Sequence, residues 1–155
     1  MEKRLVKFKD ELITFETARL AKEKGFDWEC RFLYHSELNW EEGKGVDYNW
    51  NSFDSFSAPT QTLLQRFIRE TRGVHIEIHR NASGYYWGMC KSNGGTDLGW
   101  SDQSGPNHSG VWDSNEEALE NAMFVQLSFD LPENTRMIGH WGNYVVNALK
   151  NLIIN

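Results

Sequence analysis

Three side chains that can bind metals or move protons alternate along one short segment, at His75, Glu77 and His79. Alternate positions of a β-strand lie on the same face, so a strand here would present all three together. The two histidines would be about 13 Å apart, too far for both to bind one metal ion. We therefore expect no metal site and keep His75 and His79 as candidate ligand-binding residues on a solvated strand face.

Arginines recur at helical spacing earlier in the chain, at Arg66, Arg69 and Arg72. A guanidinium group can bind phosphate oxygens through two parallel hydrogen bonds, so Arg66 and Arg69 are candidate ligand-binding residues. The ordinary alternative is a solvated helix face. The whole chain has 16 Lys and Arg against 22 Asp and Glu, a formal net charge of −6. Because a nucleic-acid polymer needs an extended basic surface, we expect a small nucleotide as ligand and no polymeric nucleic acid.

Tryptophan is frequent for a chain of 155 residues, with seven in the sequence. An indole or phenol ring can stack on a base, although most such rings pack in cores and interfaces. Trp100 and Trp112 flank a polar segment, residues 101–110, which is long for a connection inside a compact domain. We predict that Tyr85, Trp87, Trp100 and Trp112 take part in ligand binding, with core packing as the alternative for each.

Signatures of catalysis are missing from the sequence. Cys30 and Cys90 lie in no nucleophile motif, and neither a Gly-x-Ser-x-Gly turn nor a phosphate-binding glycine loop occurs. The segment from His75 to Glu77 matches one half of a zinc deaminase motif, but the Pro-Cys-x-x-Cys half is missing. We expect no catalytic residue, no cofactor and reduced cysteines, and a hydrolase stays open as an alternative.

Helix and strand signals alternate along the chain. Thr14 is suited to cap a helix that begins at Phe15, and Gly25 is suited to end it. Ser114 and Glu117 have the spacing of a capping box for another helix. The patterns predict helices over 15–24, 59–72, 115–129 and 143–153, strands over 74–79 and 85–90, and short strands around 31–35, 47–51, 98–100 and 110–112.

This order of helices and strands predicts an α+β fold in a single domain, residues 1–155. Residues 13–130 would form the core, a small antiparallel sheet packed by helices, and residues 131–155 would form a C-terminal helical extension. No apolar run is long enough to span a membrane, and the first five residues do not begin an apolar leader. We expect a cytoplasmic homo-oligomer with no membrane partner.

Four segments, residues 13–26, 57–70, 74–78 and 116–120, resemble a group of small uncharacterised proteins encoded by gut bacterial prophages and phages. The resemblance covers most of residues 13–129. It implies a phage or mobile-element origin and a bacterial host cell. It transfers no catalytic residue, because the group has no established chemistry.

Taken together, these observations predict a binding protein that sequesters a small nucleotide-derived immune signal and so counteracts bacterial defence. The ligand would be a cyclic nucleotide or an ADP-ribose derivative, held by ring stacking and arginine contacts without turnover. Two alternatives belong to other classes. One is a protein-interaction module that inhibits a host protein through an aromatic surface, and the other is a hydrolase of a nucleotide signal.

Overall fold

The computed structural model describes residues 11–92, 97–102, 105–107 and 111–129, with the backbone alone for 97–102 and 129. The described part is an α+β fold. Its helices are α1 (Phe15–Glu23), α2 (Gln61–Arg72) and α3 (Asn115–Phe129), and its strands are β1 (Phe32–Ser36), β2 (Asn39–Glu42), β3 (Phe56–Ala58), β4 (Val74–Asn81), β5 (Gly84–Lys91) and β6 (Asp97–Asp102). The predicted helix over 143–153 and the extension over 131–155 lie outside the described residues.

The strands form two antiparallel sheets where the sequence predicted one. The order is β2-β1-β3 in the first sheet and β4-β5-β6 in the second. The chain divides into two compact units, the first ending at Phe67 and the second beginning at Ile68, and each holds one sheet. The assignment of residues 1–155 to a single domain stays a prediction.

The prediction for α1 is confirmed at both ends. Thr14 has an extended backbone and its side chain accepts a hydrogen bond from the Thr17 amide at 3.4 Å. After Glu23 the chain leaves the helix through Gly25, whose φ of +91° lies in the region that favours glycine. Local signals suffice here because the cap and the terminating glycine act within one helical turn.

The first sheet departs from the predicted strands. A strand around 31–35 is confirmed as β1, but residues 47–51 contain only an isolated bridge between Tyr48 and Cys30. β2 and β3 were not predicted, because β2 has no apolar alternation and β3 is three residues long. Pairing with β1 on either side holds both strands in place.

Helix α2 begins two residues later than Pro59, the position predicted for its start. The carbonyl of Pro59 accepts a hydrogen bond from the Ile13 amide at 3.1 Å, and Leu12 forms a bridge with Thr60. These contacts hold the segment before the helix extended. Thr60 takes over the cap, since its Oγ1 accepts from the Leu63 amide at 3.2 Å.

The second unit is built on the β4–β5 hairpin, whose predicted strands are confirmed and extend slightly further. Asn81 sets the turn, because its Oδ1 accepts from the Ser83 amide at 2.8 Å and the Gly84 amide at 3.1 Å. The predicted strand around 98–100 lies inside β6, whereas the strand around 110–112 is reduced to one bridge between Trp112 and Tyr85.

Helix α3 begins and ends where the sequence predicted. Ser114 caps it, with Oγ accepting from the Glu117 amide at 3.1 Å. The helix packs on β4 and β5, and every residue from Ala122 to Leu127 is buried. Among the described residues, no helix is both long enough and apolar enough to cross a membrane.

Candidate functional site

The alternation of β4 gives the second sheet two different faces. Val74 and Ile76 are buried at 4% and 2% exposure, on the side of the sheet that α3 covers. The side chains between them in sequence, His75, Glu77 and His79, are 39%, 47% and 45% exposed. The predicted solvated strand face is therefore observed.

The hairpin register places a second row of residues beside these three. His79 is paired with Tyr86, Glu77 with Gly88, and His75 with Cys90. Directly paired residues of an antiparallel sheet share a face, so the two rows form one surface. We call this surface the outer face and define it by His75, Glu77, His79, Tyr86, Gly88 and Cys90.

The centre of the outer face is a carboxylate between two imidazoles. Glu77 Oε1 lies 4.0 Å from His75 Nε2, and Glu77 Oε2 lies 3.4 Å from His79 Nε2. Cys90 Sγ is 4.0 Å from the same Oε1. Because hydrogen bonds from nitrogen to oxygen are commonly about 2.7–3.2 Å long, the carboxylate keeps acceptor capacity toward a ligand.

The strand pairing also makes a stack of two rings on the outer face. The His79 and Tyr86 rings have centroids 5.2 Å apart and planes inclined by 26°. Between Tyr86 and Cys90 the strand carries Gly88, which has no side chain. This backbone position lies directly opposite Glu77 and contributes no side chain of its own.

Two of the aromatic residues predicted for ligand binding are core residues instead. Trp87 is fully buried, and its Nε1 donates a hydrogen bond to Asn121 Oδ1 at 3.0 Å. Trp112 is 5% exposed, and its backbone exchanges two hydrogen bonds of 2.8 Å with Tyr85. Neither indole presents a ring face to solvent, which corrects the prediction for both.

The other predicted aromatics have different surroundings. Tyr85 alternates to the opposite side of the sheet from His75 and His79, and Arg80 Cζ lies 5.5 Å from its ring centroid. The backbone of Trp100 is paired with Met89 on β5, and its side chain lies outside the described part. Tyr85 is therefore next to the hairpin end and not on the outer face.

The predicted arginines lie on α2. Arg66 belongs to the first unit, where its Cζ is 5.8 Å from the centroid of the Trp28 ring. Arg69 belongs to the second unit and is partly buried near the end of the helix, where its carbonyl accepts from the Gly73 amide at 3.2 Å. The guanidinium of Arg66 is thus engaged with an indole in its own unit.

Sequence reasoning missed four residues of the outer face. Glu77 was considered only as part of a metal site or a deaminase motif. No role in the site was predicted for Tyr86, Gly88 or Cys90. The sequence contains a signal for the strand register. A two-residue turn after Asn81 pairs Asn81 with Gly84, so the numbers of paired residues add to 165, as for His79 and Tyr86. Extending the register from His75, Glu77 and His79 gives Cys90, Gly88 and Tyr86.

The described residues give little support for a metal site or for chemistry at a cysteine thiol. In the ranges that the structure describes, no group of three or more His, Cys, Asp and Glu side chains is arranged to hold a metal ion. Cys30 is buried in the first unit, and burial raises the pKa of its thiol, so it is a core residue. Cys90 on the outer face is partly exposed and forms no disulfide.

Comparisons with known proteins identified no relative of this chain. A scan against protein-family models, a search of curated proteins and a search of solved structures each found no match.

Proposed function

We propose that this protein binds a small nucleotide-derived molecule and that the outer face of the second sheet is its binding site. The observation that carries the proposal is the stacked pair of His79 and Tyr86 on the same face as the Glu77 carboxylate, with Gly88 paired to Glu77. Stacking rings with a few polar groups next to them are typical of sites for bases and nucleotides.

The polar groups of the face match the parts of a nucleotide. Imidazole N–H groups can donate to phosphate oxygens, and a carboxylate accepts from ribose hydroxyls or base N–H groups. His75 and His79 are 39% and 45% exposed, so both are available to a ligand. His75 and His79 were predicted to bind the ligand and belong to this proposed site, whereas Tyr86 takes the stacking role that was predicted for the tryptophans.

The biological role that we propose is sequestration of a bacterial immune signal, a cyclic nucleotide or an ADP-ribose derivative, in the cytoplasm of an infected cell. The phage resemblance of the sequence supports this role. We propose binding without turnover, and the capture and hydrolysis readouts below separate the two, since Cys90 Sγ lies 4.0 Å from Glu77 Oε1 on the same face. A homo-oligomer is part of the same proposal.

A thermal-shift screen of the full chain tests the proposal. The panel contains cyclic dinucleotides, cyclic oligonucleotides, ADP-ribose derivatives and nucleoside monophosphates. A ligand at 100 times its Kd adds about 2.7 kcal/mol to the free energy of unfolding. At this chain length we expect the melting temperature to rise by several degrees. A flat response across the panel would contradict the proposal.

A matched pair of tyrosine variants locates the site. Tyr86→Ala removes one ring of the stack, and we expect it to abolish the shift. Tyr48→Ala is the control, because Tyr48 is also an accessible tyrosine, 59% exposed, in the first unit. Incubating each ligand with substoichiometric protein, followed by chromatography, separates capture from hydrolysis, since only an enzyme gives excess product.

One observation favours the protein-interaction alternative. The first unit exposes large apolar side chains, above all Leu38 at 92% and Phe53 at 103%. Aromatic side chains such as that of Phe53 are enriched at protein interfaces. If the nucleotide panel is flat, a pull-down from host lysate with the wild type and a Leu38→Ser/Phe53→Ser variant is the experiment that supports or rejects this function.

A further inference from the structure

On the basis of the nucleotide-binding function above, we propose that the outer face recognises a guanine ring through the carboxylate of Glu77. Among the described side chains of the face, Glu77 is the acidic one, and it has an imidazole on either side. A ligand group that contacts Glu77 must therefore donate hydrogen bonds. A phosphate placed there would meet a like charge, so the base is the part of the nucleotide that belongs at this position.

The carboxylate is able to accept such a group. Its described contacts with His75, His79 and Cys90 are 3.4 to 4.0 Å long, and the side chain is 47% exposed. An ionised carboxylate offers about four lone-pair positions on two oxygens. Both oxygens thus retain positions for two parallel donors from one ligand.

Space for the ring is provided by the paired residue on β5. Gly88 lies directly opposite Glu77, and its backbone has no positive φ, so glycine is not required there by the conformation of the strand. Gly88 therefore adds no side chain between β5 and the carboxylate, and in this proposal the ring of the base lies over the Gly88 backbone. Tyr86 lies two residues along the strand, about 7 Å away, which is within reach of a purine.

Among the common bases, guanine has the complementary edge. Its ring N–H and exocyclic amino group are adjacent, parallel donors that match the two oxygens of a carboxylate. Hypoxanthine keeps only the ring N–H. Adenine directs an unprotonated ring nitrogen at the same place, and that nitrogen would face the carboxylate as a second acceptor.

The experiment compares guanosine, inosine and adenosine 5′-monophosphates by titration calorimetry with the full chain. We expect guanosine monophosphate to bind about 10- to 100-fold more tightly than inosine monophosphate, with adenosine monophosphate weakest. Glu77→Gln has one donor and one acceptor on its amide, a pair that suits adenine, so it should reverse the preference. Glu41→Gln is the control, because Glu41 also pairs with an imidazole, His35, at 3.1 Å.

The outcomes separate this inference from the function on which it rests. Equal binding of the three nucleotides overturns guanine recognition and leaves nucleotide binding intact. An equal loss of all three in Glu77→Gln also overturns it, since the carboxylate would then not read the base. If none of the three nucleotides binds, guanine recognition is overturned, and if the wider thermal-shift panel is flat as well, the proposed function fails with it. A guanosine preference that Glu77→Gln abolishes and Glu41→Gln keeps supports the inference.

Discussion

The indole nitrogen of Trp87 donates a hydrogen bond to Oδ1 of Asn121 at 3.0 Å and so ties β5 to α3. Trp87 lies next to Gly88 in sequence but on the opposite side of the sheet, where it is fully buried. One of the two strands that carry the outer face, β5, is therefore attached to α3 on the opposite side of the sheet. A rigid strand under a binding surface keeps its side chains in place without help from the ligand.

Replacing Trp87 with phenylalanine should weaken the protein without removing the outer face. The variant loses the hydrogen bond and part of the buried ring, so we expect the free energy of unfolding to fall by about 1–3 kcal/mol. Urea denaturation followed by circular dichroism measures the change. Asn121→Asp is the control, because it keeps an acceptor for the indole, and a Trp87→Phe variant as stable as the wild type would contradict the predicted role.

A larger side chain at Gly88 should block ligand binding and leave the fold intact. Threonine is favoured in strands, and its side chain would occupy the space beside Glu77. For Gly88→Thr we expect at least a 10-fold loss of affinity for whichever nucleotide the thermal-shift screen identifies. The melting temperature of the ligand-free variant is the control. Unchanged affinity in a folded Gly88→Thr protein would remove this position from the site.

Alanine should be tolerated poorly at Gly43. A Cβ there would clash with Cζ2 of Trp50, and that ring is held by a hydrogen bond of 2.7 Å from its Nε1 to the Cys30 carbonyl. We expect Gly43→Ala to lower the free energy of unfolding by about 1–3 kcal/mol, as overpacking does.

Gly25→Ala is the matched control for the steric crowding expected in Gly43→Ala. Within the described part of the chain, no atom beyond its two sequence neighbours lies within 4 Å of its added Cβ, but its φ is +91°, so only backbone strain of about 1 kcal/mol is expected. Urea titration of both variants should give the larger loss for Gly43→Ala. The opposite ranking would mean that the Trp50 ring moves aside without cost.

Replacing Gln126 with an apolar residue should stabilise the protein. Gln126 is 1% exposed, and its Oε1 has no hydrogen-bond partner in the described part of the chain. Gln126→Met has a similar length and removes the desolvated oxygen, so we expect a gain of about 1 kcal/mol in thermal or urea unfolding. Gln126→Glu, which buries a charge, should instead destabilise the protein. A loss of stability in Gln126→Met would show that the amide is needed.

Stability should fall at alkaline pH because of Cys30. Burial raises the pKa of this thiol above the ordinary 9.0, so the folded protein holds the proton more tightly than the unfolded chain does. The resulting stability is complete below the thiol pKa of the unfolded chain and is lost as pH rises toward the folded pKa. Urea unfolding at pH 8 and above should show this decline, and Cys30→Ala should remove the part of the slope that comes from the thiol. An identical slope in Cys30→Ala would contradict it.

Elements whose signals are local could be predicted from the amino-acid sequence. The Thr14 cap and Gly25 defined α1, the Ser114 cap defined α3, and the change of period after Gly73 with the turn at Asn81 defined the hairpin. The α+β class follows from these elements. Each signal acts between residues a few positions apart, so it can be recognised without knowing the rest of the fold.

Which aromatic rings are buried depends on tertiary packing and could not be predicted from the sequence. The alternation of β5 separates Tyr86 from Trp87, but it does not say which of the two faces α3 will cover. Helix α3 packs behind Trp87, so the largest ring became core and the His79–Tyr86 stack stayed accessible. Short strands such as β3 were likewise fixed by their partner and not by their own residues. Packing between distant segments decides both, because burial depends on what the rest of the chain brings to each face.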